Sequence, residues 1–222
     1  REVLRKFGVE QPIELTTFSD IPAGTGLGSS SAFGVGLINA LYALNGDRVT
    51  KYTLAEEAAT IELDVLNRSM GKQDHFAAAY GSLSVYTFNA DETVTADPVH
   101  YDPDIVESLN SRLMLFYVGN QRDASNVLKA QVAATGEKED VLSAMCDMVD
   151  PMVEILSGRG VLSDVGPMLH ESWLLKRSIT NRTSTAEIDA AFERAMEAGA
   201  GGGKLVGAGG GGFLMFFVEP SR

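Results

Sequence analysis

The first regular pattern in the chain is an alternation of apolar and polar positions over residues 13–18, which predicts a strand. Residues 22–31 replace periodicity with glycine and serine and read as a loop. Residues 32–44 are mostly apolar and predict a buried helix, stopped by Asn45-Gly46. Residues 53–66 have helical spacing, with Thr53 as N-cap and Glu56 completing a capping box. A short helical turn is expected over 72–79. Strands are expected over 82–88 and 93–96, joined by a turn at Asn89-Ala-Asp91, and a strongly apolar strand over 112–118. Helices follow over 123–133, 140–156, 166–178 and 186–198, and a last strand over 213–218. No internal repeat and no linker interrupts the series. Strands and helices intermix without regular βαβ alternation, which predicts an α+β fold rather than a doubly wound parallel sheet.

Composition narrows the class. The 222 residues are 45% hydrophobic and 22% charged, which suits a soluble globular protein of one domain or two small ones. The longest apolar candidate, 35–44, is broken by Gly36 and Asn39 and is too short to span a bilayer, so no membrane partner is expected. The opening Arg1-Glu-Val-Leu-Arg-Lys6 has no apolar core behind it, so no secretory leader is expected. A net charge of −12 argues against nucleic acid as a partner. It leaves room for a small anion held by local N–H groups or lysines. The single cysteine, Cys146, cannot form an internal disulfide, which points to a reducing, cytoplasmic location. Its helix-like surroundings predict a small buried apolar residue.

Three segments carry candidate chemistry. Pro22-Ala-Gly-Thr-Gly-Leu-Gly-Ser-Ser-Ser-Ala32 lies between a strand and a buried helix. Gly24, Gly26 and Gly28 let backbone approach a ligand. Ser29, Ser30 and Ser31 stand at a helix start, where unpaired N–H groups favour an anion and hydroxyls can reach a metal that bridges phosphates. The segment is neither a Walker A loop nor a G-x-G-x-x-G fingerprint. The plainer alternative is a glycine-rich turn with a serine cap. Gly28-Ser-Ser-Ser-Ala32 also approaches the G-x-S-x-G elbow of hydrolases, with His75, His100 and His170 as candidate triad partners, but that reading is disfavoured.

The second segment, Gly71-Lys-Gln-Asp-His-Phe-Ala-Ala-Ala-Tyr-Gly81, gathers Lys72, Asp74 and His75. A carboxylate there could take a proton from a substrate hydroxyl, with lysine offsetting charge. Glu62, on the preceding helix, could supply a hard oxygen for Mg²⁺. The alternative is a solvated corner between helices. The third segment, Lys204-Leu-Val-Gly-Ala-Gly-Gly-Gly-Gly-Phe213, has no side chain suited to chemistry in its glycine run, so its role is backbone shape or backbone N–H groups. At least one of Gly209, Gly210 and Gly211 is expected to take a positive φ or lie too close to a neighbour for a methyl group.

In this order the three segments resemble the GHMP family of small-molecule kinases. The loop ending Gly26-Leu-Gly-Ser-Ser-Ser-Ala32 resembles its second motif, and Gly207-Ala-Gly-Gly-Gly-Gly-Phe213 its third. Several segments are similar to the heptose 7-phosphate kinase branch, with L-fucokinase as the competing branch. They are Gly71-Lys-Gln-Asp74 with Ala78-Ala-Tyr-Gly81, Arg122-Asp-Ala, His170-Glu-Ser-Trp173 with Lys176-Arg177, and Gly203-Lys-Leu-Val-Gly-Ala208. The resemblance implies a two-lobed GHMP fold, with ATP and sugar meeting between lobes. Residues of about 1–100 would be the remainder of the ATP-binding lobe, and about 101–222 the C-terminal lobe.

The resemblance also implies roles. Gly24, Gly26, Leu27, Gly28, Ser29, Ser30 and Ser31 would bind ATP. Ser30 and Glu62 would hold Mg²⁺. Asp74 would be the catalytic carboxylate, and Lys72, Gly209, Gly210 and Gly211 would meet the sugar with it. Lys72, Arg122, Lys176, Arg177 and Lys204 are candidates by charge for the substrate's own phosphate. The implied activity is phosphorylation of the anomeric hydroxyl of a heptose 7-phosphate. The alternatives are an L-fucokinase- or galactokinase-like enzyme, or a non-catalytic nucleotide- and sugar-binding protein. A homodimer is compatible with this picture. The family's first motif has no match in residues 1–18, and the sequence stops at Glu219-Pro-Ser-Arg222 just after a strand, so the chain is expected to be clipped at both ends.

Overall fold

A computed structural model describes residues 1–22, 24–119 and 124–220. The chain divides into two compact units, Arg1–Asp97 and Pro98–Arg222. The first contains α1 (Glu2–Lys6), α2 (Ser29–Asn45), α3 (Lys51–Thr60), α4 (Gln73–Tyr80), β1 (Ser84–Phe88) and β2 (Val94–Pro98). The second contains α5 (Pro103–Asn110), β3 (Leu113–Tyr117), α6 (Ala124–Ala134), α7 (Glu139–Cys146), α8 (Val149–Leu156), α9 (Val165–Ile179), α10 (Ala186–Glu197), β4 (Gly202–Leu205) and β5 (Phe213–Phe217).

In the first unit, the apolar residues of α2 do what their density predicts. Val35, Leu37, Ile38 and Leu41 are buried against Val3 of α1, Leu54 and Ala58 of α3, and Ile61. Gly46, at φ 79°, ends α2. Its N–H reaches Ala43 and the next N–H reaches Tyr42, which closes the helix on its own carbonyls. The N-cap of α3 is Thr50, not Thr53. Thr50 has the extended backbone a cap needs, and its Oγ1 accepts the N–H of Thr53 at 3.1 Å. After Thr60 the helix widens into a π turn over Ile61–Val65, where the N–H of Leu66 reaches back to Ile61. Behind α4, Phe76 packs with Ala55 and Val94, which joins that helix to α3 and the small β1–β2 sheet.

In the second unit, the sheet order is β3-β5-β4, with both pairings antiparallel. Its core is Trp173 of α9, Ile188 and Phe192 of α10, Leu205 of β4, and Leu214 and Phe216 of β5. Thr185 caps α10 by accepting the N–H of Ile188. At Gly202 a Cβ would lie 1.9 Å from the carbonyl oxygen of Gly166, so α9 rests on the bare backbone of β4.

Several expectations are corrected. Residues 13–18 form no strand. Ile13 and Leu15 are exposed and Phe18 is 94% exposed, because no strand among the described residues lies alongside to take their ladder hydrogen bonds. The helix expected over 140–156 is two helices, α7 and α8. Pro151 sits in the first turn of α8, where its missing N–H costs nothing; in one continuous helix its ring would meet the carbonyl of Asp147. Cys146, at the end of α7, is exposed rather than buried. The helices α1 and α5 and the strand β4 were not expected. Among the described residues no helix is long and apolar enough to cross a membrane.

Candidate active site

The loop before α2 is shaped by its glycines. Gly24, Gly26 and Gly28 have φ of 77°, 82° and 69°. Between them Thr25 is fully buried, and its hydroxyl donates to the carbonyl of Pro22 at 3.0 Å. Gly28 is the N-cap of α2, and no side chain caps that helix. Its first N–H groups are therefore left for a ligand. Ser30 is exposed at this helix start, whereas the Ser31 hydroxyl is buried without a hydrogen-bond partner among the described residues.

Glu62, carried on the π turn, is buried and reaches across to α2. The Ser30 hydroxyl donates to Glu62 Oε1. Arg68 Nη1 donates to the same Oε1 and to Ser30 Oγ, both at 2.8 Å. His75, the third residue of α4, lies 3.0 Å from the other carboxylate oxygen through Nε2. Asp74, one residue earlier, stands against the loop, since a Cβ on Gly28 would sit 3.8 Å from Asp74 Oδ2. The fold thus brings Ser30, Glu62 and Asp74 to one place.

Lys72 is directed elsewhere. Its ammonium donates to both oxygens of Glu56 at 3.2 Å and to the carbonyl of Glu92 at 3.4 Å. The hydrolase reading also finds no geometry: among the described residues no histidine bonds Ser29, Ser30 or Ser31, and His75 is turned to Glu62.

The oxygens of Ser30 and Glu62 suit a hard cation. They are hydroxyl and carboxylate donors from facing elements, and a positive group, the Arg68 guanidinium, already bridges them. No cluster of three or more His, Cys, Asp or Glu residues that could hold a metal occurs among the described residues. That is compatible with Mg²⁺, which keeps waters and phosphate oxygens in its shell.

The third segment lies in the second unit. Gly207, Gly209, Gly210 and Gly212 have φ of 73°, 118°, 77° and 104°, as its glycine run predicted. A Cβ on Gly209 would be 2.8 Å from the carbonyl oxygen of Thr183, and Gly210 N–H donates to that same carbonyl at 2.9 Å. Gln131 donates to the carbonyl of Ala208 at 3.1 Å, and Lys176 donates to that of Gly207. Lys204 donates to Ser172 at 3.0 Å, and its burial lowers its pKa from the ordinary lysine value. Arg177 pairs with Asp189 at 2.9 Å and lies over the Trp173 ring. Arg122 lies outside the described residues.

The chain is similar to known proteins. Residues 1–82 match the GHMP kinases N terminal domain, and residues 152–222 match the GHMP kinases C terminal. The chain belongs to the GHMP kinase family. Among curated GHMP kinases it is 30% identical over 210 residues to D-glycero-alpha-D-manno-heptose 7-phosphate kinase of Campylobacter jejuni, covering 94% of this chain and 62% of that one. It is 26% identical to the galactokinase of Pyrococcus furiosus, covering 91% and 63%. The crystal structure of a D-glycero-D-manno-heptose 1-phosphate kinase from Bacteroides thetaiotaomicron superposes with a TM-score of 0.71 at 28% identity, over 100% of this chain and 62% of that one. The chain therefore spans about three fifths of the length of these relatives. Their GHMP fold is the fold of this chain.

Two residues that meet Glu62 in this cluster were not assigned to it from the sequence. Arg68 had no motif around it. His75 was noted beside Asp74, but nothing in the sequence assigned it to Glu62, thirteen residues away and on another element.

Proposed function

We propose that this GHMP kinase transfers the γ-phosphoryl group of ATP to the anomeric hydroxyl of a heptose 7-phosphate, giving the 1,7-bisphosphate and ADP. The observation that carries this reading is the meeting of Ser30, Glu62 and Asp74 at the glycine loop before α2. The similarity to the heptose kinases of Campylobacter and Bacteroides supports the choice of sugar.

Each residue has a part. The free N–H groups at the start of α2, with Ser29, hold the ATP phosphates. Ser30 and Glu62 would hold Mg²⁺, which would supply positive charge against that building on the phosphates. For that, the Arg68 guanidinium would have to leave Ser30 Oγ and Glu62 Oε1. Its side chain is 51% exposed, so it can turn into solvent at little cost. Asp74, exposed beside Gly28, orients the sugar hydroxyl and receives its proton as that oxygen bonds to the γ-phosphorus and the bond from phosphorus to the β,γ-bridging oxygen breaks. Phosphoryl transfer asks mainly for positioning and charge neutralisation, which this set can supply.

The test is a coupled ADP-release assay over heptose 7-phosphate, fucose, galactose, mevalonate and homoserine, with the intact mass of the protein from its native source fixing its length. Turnover with heptose 7-phosphate above the other four is expected. Turnover with another of the four moves the reading to that branch. Binding of ATP and sugar with no ADP released makes the protein a sensor.

A further inference from the structure

The two carboxylate oxygens of Glu62 have opposite surroundings. Oε1 faces the rim, where Ser30 and the half-exposed Arg68 meet it. Oε2 faces inward, onto His75, which is 0% exposed. The carboxylate can only accept, so the 3.0 Å contact requires the proton on His75 Nε2. His75 Nδ1 is buried and has no hydrogen-bond partner among the described residues. A proton placed there instead would be an unpaired buried donor, and two lone pairs would face each other across the Glu62 contact. The imidazole thus has one polar task, and it is Glu62.

The ring is also poorly free to move. Its neighbour Phe76 is fully buried among Ala55 and Val94, which fixes this turn of α4 against α3 and β2. Glu62 itself stands on the π turn that ends α3. The hydrogen bond therefore ties the two elements that carry Asp74 and Glu62.

We propose that His75 is the positioning residue of the site: its buried Nε2–H pins Glu62 Oε2, so that Oε1 is turned toward Ser30 and presented to the cation. This rests on the reading of Ser30 and Glu62 as the Mg²⁺ pair. His75 touches neither metal nor substrate; it acts through Glu62. Outer hydrogen bonds of this kind typically govern metal affinity by about 10–100-fold.

The test compares His75→Gln, His75→Asn and His75→Leu with Glu62→Gln in the full protein. Mn²⁺ replaces Mg²⁺ and is titrated by electron paramagnetic resonance in the presence of ADP, with melting temperatures recorded alongside. Gln can place an amide N–H where Nε2 stands. Asn reaches only the position of Nδ1, and Leu has no donor. The Gln variant should bind Mn²⁺ within about threefold of wild type, and the Asn and Leu variants about tenfold or more weaker. Should Leu fail to fold, the difference between Gln and Asn still decides. Equal Mn²⁺ binding by Gln and Asn overturns the proposal. If Glu62→Gln weakens Mn²⁺ while every folded His75 variant binds like wild type, only the positioning role falls. If Glu62→Gln also binds like wild type, the reading of the metal pair falls with it.

Discussion

Around residues 24–28, left-handed glycines bring a helix start up to a set of side chains. Ser30, Glu62, Arg68 and Asp74 lie there, three of them joined by hydrogen bonds and the fourth against Gly28. Around residues 207–212, glycines of the same handedness bring up backbone, and the carbonyl and N–H groups of this segment, Ala208 included, are bonded to Thr183, Gly119, Gln131 and Lys176. The two loops look alike in sequence and differ in what crowds them. In the first, a methyl on Gly28 would meet Asp74 at an ordinary 3.7 Å, whereas one on Gly209 would drive into a carbonyl oxygen. A glycine run therefore signals an unusual backbone, and only its neighbours say whether that backbone serves a ligand or the packing of its own unit.

The contrast can be broken at its strongest point first. If the first loop carries the chemistry, Asp74→Asn should cut kcat by about 10²–10⁴-fold with its melting temperature unchanged, since Asp74 is exposed and the variant keeps its shape. A kcat within about threefold of wild type would remove Asp74 from the mechanism. In the second loop the expected effect is on stability. Gly209→Ala should cost about 1–3 kcal/mol, from a strained φ of 118° and the contact with Thr183. Gly211→Ala, at a residue without positive φ, should cost clearly less. Equal melting curves for the two variants would show that this loop tolerates side chains and is not set by packing. The smallest effect sharpens the account of the first loop. Arg68→Gln removes the group that bridges Ser30 and Glu62, so Mn²⁺ should bind about two- to fivefold tighter, as suits a half-exposed ion pair. Weaker binding would mean that Arg68 helps the cation instead of standing in its place.

How much of this could be read from the chain depends on whether a feature is local. The apolar density of residues 32–44 and the Gly46 stop are local, and α2 follows them. The glycine–serine loop is local too. Residues 13–18 alternate as a strand should, yet a strand also needs a neighbour, which no pattern within six residues reveals. The strand β4 was hidden for the opposite reason. Gly202-Gly203 carries no β-forming side chains, because the requirement it meets is the approach of Gly166. Pro151 was visible, and its bar against one long helix could have been applied to 140–156. In the site, Glu62 and Asp74 were candidates by residue type and placement, and resemblance to a family supplied their roles. The bonds from Arg68 to Ser30 and from His75 to Glu62 join residues 38 and 13 apart, and such pairings come from the packing of α2, α3 and α4.

The π turn at Ile61–Val65 has a consequence for the length of the chain. A turn closed by a bond from Leu66 to Ile61 houses one residue more than an α-helical turn. Glu62 lies inside it, and Arg68 comes just after, beyond Asn67 with its φ of 51°. The reach of Arg68 back to Glu62 is thus set by a count of residues as well as by their identity. Removing one residue between Leu63 and Leu66 would let the helix close in the ordinary way and carry Arg68 off its partner, while Ser30, which precedes the deletion, would keep its place on α2. A single-codon deletion could in this way separate the carboxylate from its resident guanidinium without altering any residue that the site uses.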